Sequence, residues 1–190
     1  MRLGTKKIAF LGLLLALTVA CTILSSVIEI STLFFLAAGA FLVGAAIHET
    51  GIGYGIAFYL ASVFLSIIVT PNKIYCLTFA MIAGYILIVE WIQLLLQRKA
   101  LKQLATLQTE QRKSHDYRKL FWIVKLVLFN LMYLPILFWF PKLIFPGNIS
   151  SSLLLIAIIV GQAVFVVFDL AYQSFFERYW KRIRKALPFR

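Results

Sequence analysis

The sequence predicts an all-α protein: a polytopic membrane bundle of six transmembrane helices with both termini cytoplasmic, followed by an amphipathic interfacial helix. Three observations predict it. Of the 190 residues, 62% are hydrophobic, and the mean hydropathy is +0.93; soluble domains hold roughly 45–50% apolar residues. Apolar runs approaching or reaching membrane length recur between short polar breaks. Of the 19 Lys and Arg residues, all except Lys73 and Lys142 fall in three clusters, at the start, middle and end of the chain. The long polar stretch 97–119 carries the middle cluster: Arg98, Lys99, Lys102, Arg112, Lys113, Arg118 and Lys119, with Lys125 just beyond. Basic loops beside apolar spans stay cytoplasmic. An even number of crossings puts all three clusters on one side, whereas five or seven would not. The net charge of +12 is thus explained by topology and by attraction to anionic lipid, without nucleic acid.

The elements follow in order. Arg2, Lys6 and Lys7 precede helix 1, residues 8–28, which is expected to be retained although Thr18-Val19-Ala20-Cys21 resembles a lipoprotein cleavage box. Glu29, Ser31 and Thr32 make a short exit. Helix 2, residues 33–47, is rich in Ala and Gly and short for a span. His48-Glu49-Thr50-Gly51 is expected as a polar turn. Helix 3 spans 52–69, and Thr70-Pro71-Asn72-Lys73 breaks the pattern. Helix 4 spans 74–96 and is expected to continue beyond the bilayer, because Leu94, Leu101, Leu104 and Ala105 keep helical spacing. Ser114 is the expected N-cap of helix 5, residues 120–140, with Pro135 expected to kink it. Helix 6 spans 153–172. Residues 1–175 thus form the membrane domain. Residues 176–190 form a basic tail with Phe176, Tyr179, Trp180, Ile183 and Leu187 on one face.

Three groups of residues are functional candidates. Gly12, Ala16 and Ala20 repeat every four positions along one face of helix 1, where small residues let another helix approach closely. Glu90, Lys125 and Asp169 lie inside helices 4, 5 and 6 at similar depth, near the cytoplasmic side. Each costs roughly 2.5–3.5 kcal/mol at a span centre on insertion scales unless paired. Lys125 is therefore expected to pair with Glu90 or Asp169 and to lock the three helices together. The topology gathers Ser25, Ser26, Glu29, Asn72, Lys73, Tyr75, Trp139, Lys142 and Asn148 at the outward end, either as a site for a small polar molecule or as the aromatic and polar residues that ordinarily sit at that level. No catalytic constellation, P-loop or metal-ligand spacing is visible, so neither an enzyme nor a resident cofactor is expected. Cys21 and Cys76 lie in apolar runs and read as small buried residues.

The opening Lys6-Lys7-Ile8-Ala9-Phe10-Leu11-Gly12-Leu13-Leu14-Leu15-Ala16-Leu17 resembles the start of S components. These are the membrane-embedded substrate-capture subunits of bacterial energy-coupling factor transporters; six-helix relatives share their layout. The resemblance implies that Ala16 and Ala20, with Gly12, contact a transmembrane coupling subunit driven by two ATPases. It also implies that a vitamin or metal ion is captured from outside by the outward group, notably Ser25, Ser26, Glu29, Asn72, Tyr75, Trp139 and Asn148. The alternative is a structural or assembly membrane protein whose basic faces dock lipid or a partner.

Overall fold

The structure is a computed structural model that describes residues 4–104, 111–139, 151–180 and 182. The side chains of residues 29, 97–104, 111–120, 136–139 and 151–154 lie outside that description. Six long helices account for the described chain: α1 (Thr5–Val27), α2 (Thr32–Thr50), α3 (Ile52–Val69), α4 (Lys73–Leu104), α5 (Gln111–Trp139) and α6 (Ser151–Ser174). A 3-10 turn, Glu29–Ser31, joins α1 to α2, and α6 runs on into a π-helical segment, Phe175–Trp180. Five stretches are long and apolar enough to cross a membrane: Thr5–Val27, Thr32–Thr50, Ile52–Val69, Lys73–Leu96 and Leu155–Trp180. In α5 the apolar stretch is shorter, Phe121–Pro135.

α2 lies at the centre of the first four helices. Its buried Leu36, Ala40, Val43, Ala45, Ala46 and Ile47 meet α4 residues such as Phe79, Ala83 and Ile86 in one core. Small residues bring the backbones close, which matters in lipid because helix association there rests on packing rather than on a hydrophobic drive. A Cβ on Gly55 of α3 would lie 2.4 Å from Ile47 Cγ1. Large apolar residues such as Leu13, Phe34, Phe64, Ile68, Leu131, Ile159 and Val167 are exposed on the outer faces. That is the arrangement a lipid solvent favours.

α6 joins this core through aromatic rings. Phe41 of α2 meets Phe168, Tyr172 and Phe175 at centroid distances of 5.4, 5.3 and 5.6 Å. Phe165 stacks on Phe129 of α5 at 4.3 Å and meets Tyr85 of α4 edge-on at 5.7 Å.

The helices alternate in direction. At one end, Trp180 of the π-helical segment meets Phe10 of α1 and donates to Glu49 of α2. Tyr172 of α6 reaches Glu90 of α4, and Lys125 of α5 reaches Asp169 of α6. At the other end, Thr22 of α1 meets Ser66 of α3, and Cys76 of α4 donates to the Ser66 carbonyl. The start of α1, the far ends of α2, α4 and α6, and the start of α5 therefore share one end. The described members of the three basic clusters, such as Lys6, Arg98, Arg112 and Arg178, flank that same end.

Several boundaries differ from the sequence expectation. His48, Glu49 and Thr50 belong to α2, and the turn shrinks to Gly51, whose φ is 87°. That left-handed backbone suits glycine. α2 is thus 19 residues long, about 28 Å at 1.5 Å per residue, and is no longer short for a span. Lys73 opens α4 instead of closing the turn before it. α4 continues to Leu104, beyond its apolar stretch, as expected; Ala105 lies outside the described residues. Ser114 is not an N-cap, because α5 begins at Gln111. Gln, Arg and Lys are good helix formers, so the helix extends outward past the first apolar residue. It also runs through Pro135 to Trp139.

Candidate functional site

The three intramembrane charges meet at the basic end. Lys125 Nζ donates to Asp169 Oδ1 at 2.7 Å, with side chains 4% and 2% exposed. Gln173 Nε2 donates to the other carboxylate oxygen, Oδ2, at 2.5 Å. The ammonium also lies 4.8 Å from the centre of the Phe121 ring. Between the two partners open to it, Lys125 bonds Asp169 and not Glu90.

Glu90 has its own partners. Its Oε1 accepts the Tyr172 hydroxyl at 2.7 Å and lies 3.3 Å from His48 Nε2. His48 in turn stacks on Phe176, with ring centroids 4.5 Å apart and planes at 27°. Tyr85 is buried beside these groups, and its hydroxyl has no hydrogen-bond partner among the described residues.

One stripe of α6 and its continuation supplies most of this site. Asp169, Tyr172, Gln173 and Phe176 are spaced by three and four, so they lie on one helical face. The tyrosine is admitted by Gly44 of α2: a Cβ there would lie 2.5 Å from the Tyr172 hydroxyl oxygen. Both Asp169 oxygens are engaged, and Glu90 Oε1 serves two donors. A carboxylate oxygen in that position is held as an acceptor and is not presented to a substrate. No group of three or more His, Cys, Asp or Glu suited to a metal ion occurs among the described residues.

A second polar feature was not singled out from the sequence. Thr18, Thr22 and Ser25 of α1, and Ser62, Ser66 and Thr70 in and just after α3, all have no exposed surface. Thr18, Thr22, Ser25 and Ser62 bond carbonyls of their own helices at 2.7–2.8 Å. Thr22 Oγ1 and Ser66 Oγ meet across the seam at 3.1 Å. Cys76 adds its thiol to the Ser66 carbonyl at 3.2 Å. The signal lay in the spacing of four, 18-22 on one helix and 62-66-70 on the other. A double-mutant cycle of Thr22→Val and Ser66→Ala is expected to give a coupling of about 0.6 kcal/mol, the usual size for such bonds in membrane bundles. Additive unfolding energies would remove the cross-helix bond from the account.

The outward group is engaged locally. Ser25 and Ser26 donate to the carbonyls of Thr22 and Ile23. Asn72 Oδ1 accepts from the Ile74 amide at 3.1 Å, capping α4. Lys73 donates to the carbonyls of Ile67 and Thr70. Tyr75 is half-buried against the core. The Glu29 and Trp139 side chains, Lys142 and Asn148 lie outside the described residues. Of the two cysteines, Cys76 is buried and Cys21 half-buried; both are free thiols.

The helix 1 stripe is open. Gly12, Ala16 and Ala20 are all exposed, beside exposed Leu13, Leu17 and Leu24. A Cβ on Gly12 would meet nothing within 4 Å. The small residues are not used for packing inside this bundle. Comparison with protein-family models, curated proteins and solved structures finds no match.

Proposed function

We propose that the protein is the membrane-embedded substrate-binding subunit of a nutrient uptake transporter in a bacterial plasma membrane, energised by partner subunits. The observation that carries this reading is the open face of α1. Gly12, Ala16 and Ala20 form a smooth strip that no helix among the described residues covers. In lipid such a strip fits the close approach of another helix. A transmembrane coupling subunit is the proposed occupant, with ATPases behind it. The shared basic end is the cytoplasmic one, by the distribution of positive charge, and anionic lipid is its proposed neighbour. A vitamin or metal ion would be taken up at the opposite end.

Affinity purification of the tagged chain from its native membrane tests this. A coupling subunit and ATPases are expected to follow it. Ala16→Leu with Ala20→Leu is expected to release them while leaving the bundle folded, because both side chains point away from it. If the double variant keeps the same companions, or the wild type brings none, the reading fails.

The second reading is a structural or assembly protein without transport activity. The local engagement of Ser25, Ser26, Asn72 and Lys73 favours it, since these groups are committed to their own backbone. Native mass spectrometry separates the two: a retained small molecule belongs to the first reading only.

A further inference from the structure

We propose that His48 and Glu90 form a proton-binding site that latches the end of α6 over the basic end of the bundle. The ligand is a proton taken from the solvent at that end. The site is built between three helices: the imidazole comes from α2, the carboxylate from α4, and the Phe176 ring from the π-helical continuation of α6. This inference does not depend on the transport reading.

The geometry couples the imidazole charge to the position of Phe175–Trp180. His48 Nε2 lies 3.3 Å from Glu90 Oε1, and its side chain is 38% exposed while that of Glu90 is 7% exposed. The base is therefore the accessible member of the pair, and the acid stays inside. Glu90 Oε1 also accepts the Tyr172 hydroxyl, so it acts as a carboxylate toward two donors. A cationic imidazole is attracted to that carboxylate, and a charged ring stacks more strongly on the aromatic face of Phe176. Neutral His48 loses the Coulomb part of both contacts. Uptake adds one proton to the imidazole; Glu90 keeps its negative charge.

The backbone is suited to release at this point. Phe175–Trp180 is π-helical, and π-helical turns within helices occur mostly as single insertions, frequently at functional sites. Within this turn Phe176 meets His48, and Trp180 reaches Glu49 Oε1 at 3.3 Å.

The charged surroundings are specific. Glu90 and Tyr172 face His48 from α4 and α6. Lys125 of α5 is bonded to Asp169. Glu49 lies beside His48 on α2 and receives Trp180. α1 brings Phe10 to Trp180, with Lys6 and Lys7 in its first turn. The segment that carries Phe176 also carries Glu177 and Arg178, and α3 has no charged residue, its titratable groups being Tyr54 and Tyr59. Closure is expected at low pH, where an imidazole is a cation.

Hydrogen exchange on the full chain in lipid nanodiscs tests this, with amide protection over residues 172–182 corrected for intrinsic rates. As pH rises through the imidazole range, about pH 5 to 8, protection is expected to fall about tenfold, the size of one charge-assisted hydrogen bond. His48→Lys, a permanent cation, is expected to hold protection high throughout. His48→Gln is expected to hold it low and flat, with α1–α4 still protected. His115→Gln is expected to behave as wild type. Wild-type protection that ignores pH overturns the proposal. So does a pH response that survives in His48→Lys or is lost in His115→Gln.

Discussion

Asp169→Asn or Lys125→Met is expected to destabilise the bundle by about 3–5 kcal/mol, the cost of stranding one member of a buried ion pair. Both side chains are nearly fully buried, at 2% and 4% exposure. Lys125→Met leaves Asp169 with only Gln173 as a hydrogen-bond partner among the described residues. Asp169→Asn leaves an ammonium with the Phe121 face and a neutral amide. Removing both charges together, as Lys125→Met with Asp169→Leu, is expected to recover most of the loss, since apolar pairs often replace buried ion pairs without cost. Exchanging the charges of Lys125 and Asp169 is expected to recover part of it. Exchanging those of Lys125 and Glu90 is expected to recover none, because Glu90 is held by Tyr172 and His48. Reversible unfolding in mixed detergent measures all of these. A Lys125→Met loss below about 1 kcal/mol would show that the pair does not hold α5 to α6.

Gly44→Ala is expected to cost about 2–4 kcal/mol, although it adds one methyl group. The new Cβ would lie 2.5 Å from the Tyr172 hydroxyl oxygen, 2.9 Å from Cε2 and 3.1 Å from Cζ. The ring has to leave, and with it the hydrogen bond to Glu90. Gly44→Ala in a Tyr172→Phe background is expected to cost less, because the bond is already gone and the two effects overlap. Gly12→Ala is the control, with nothing within 4 Å and an expected change within about 0.5 kcal/mol. The same unfolding measurement reads the series; equal effects at positions 12 and 44 would contradict the packing.

Some of this was legible in the chain itself. Helix 3 was read at 52–69, its bounds in the structure, because Gly51 and Pro71 punctuate both sides of an unbroken apolar run. Glu90, Lys125 and Asp169 stood out because a charge in such a run is costly. Which of the two acids Lys125 takes was not legible: depth along a helix follows from sequence, but rotation about its axis depends on the neighbours. His48 and Glu49 read as a turn because polar residues at the end of an apolar run resemble an exit. In the structure they make the contacts to Glu90 and Trp180 instead. Tyr172 and Tyr85 were hidden among aromatic residues that also suit the membrane surface. The hydroxyl seam was hidden because threonine and serine are only mildly polar and barely interrupt an apolar run in a hydropathy profile.

The single residue between α2 and α3 has a mechanical consequence. Gly51 leaves no slack, so those two helices cannot slide past each other or tilt far apart without unwinding. With α1 and α4 packed on them, they form one block. α6 meets that block through side chains, Tyr172 on Glu90 and Phe168 on Phe41. The notch at Gly44 therefore sets how closely α6 seats against it, because the Tyr172 ring fills the space a Cβ would take.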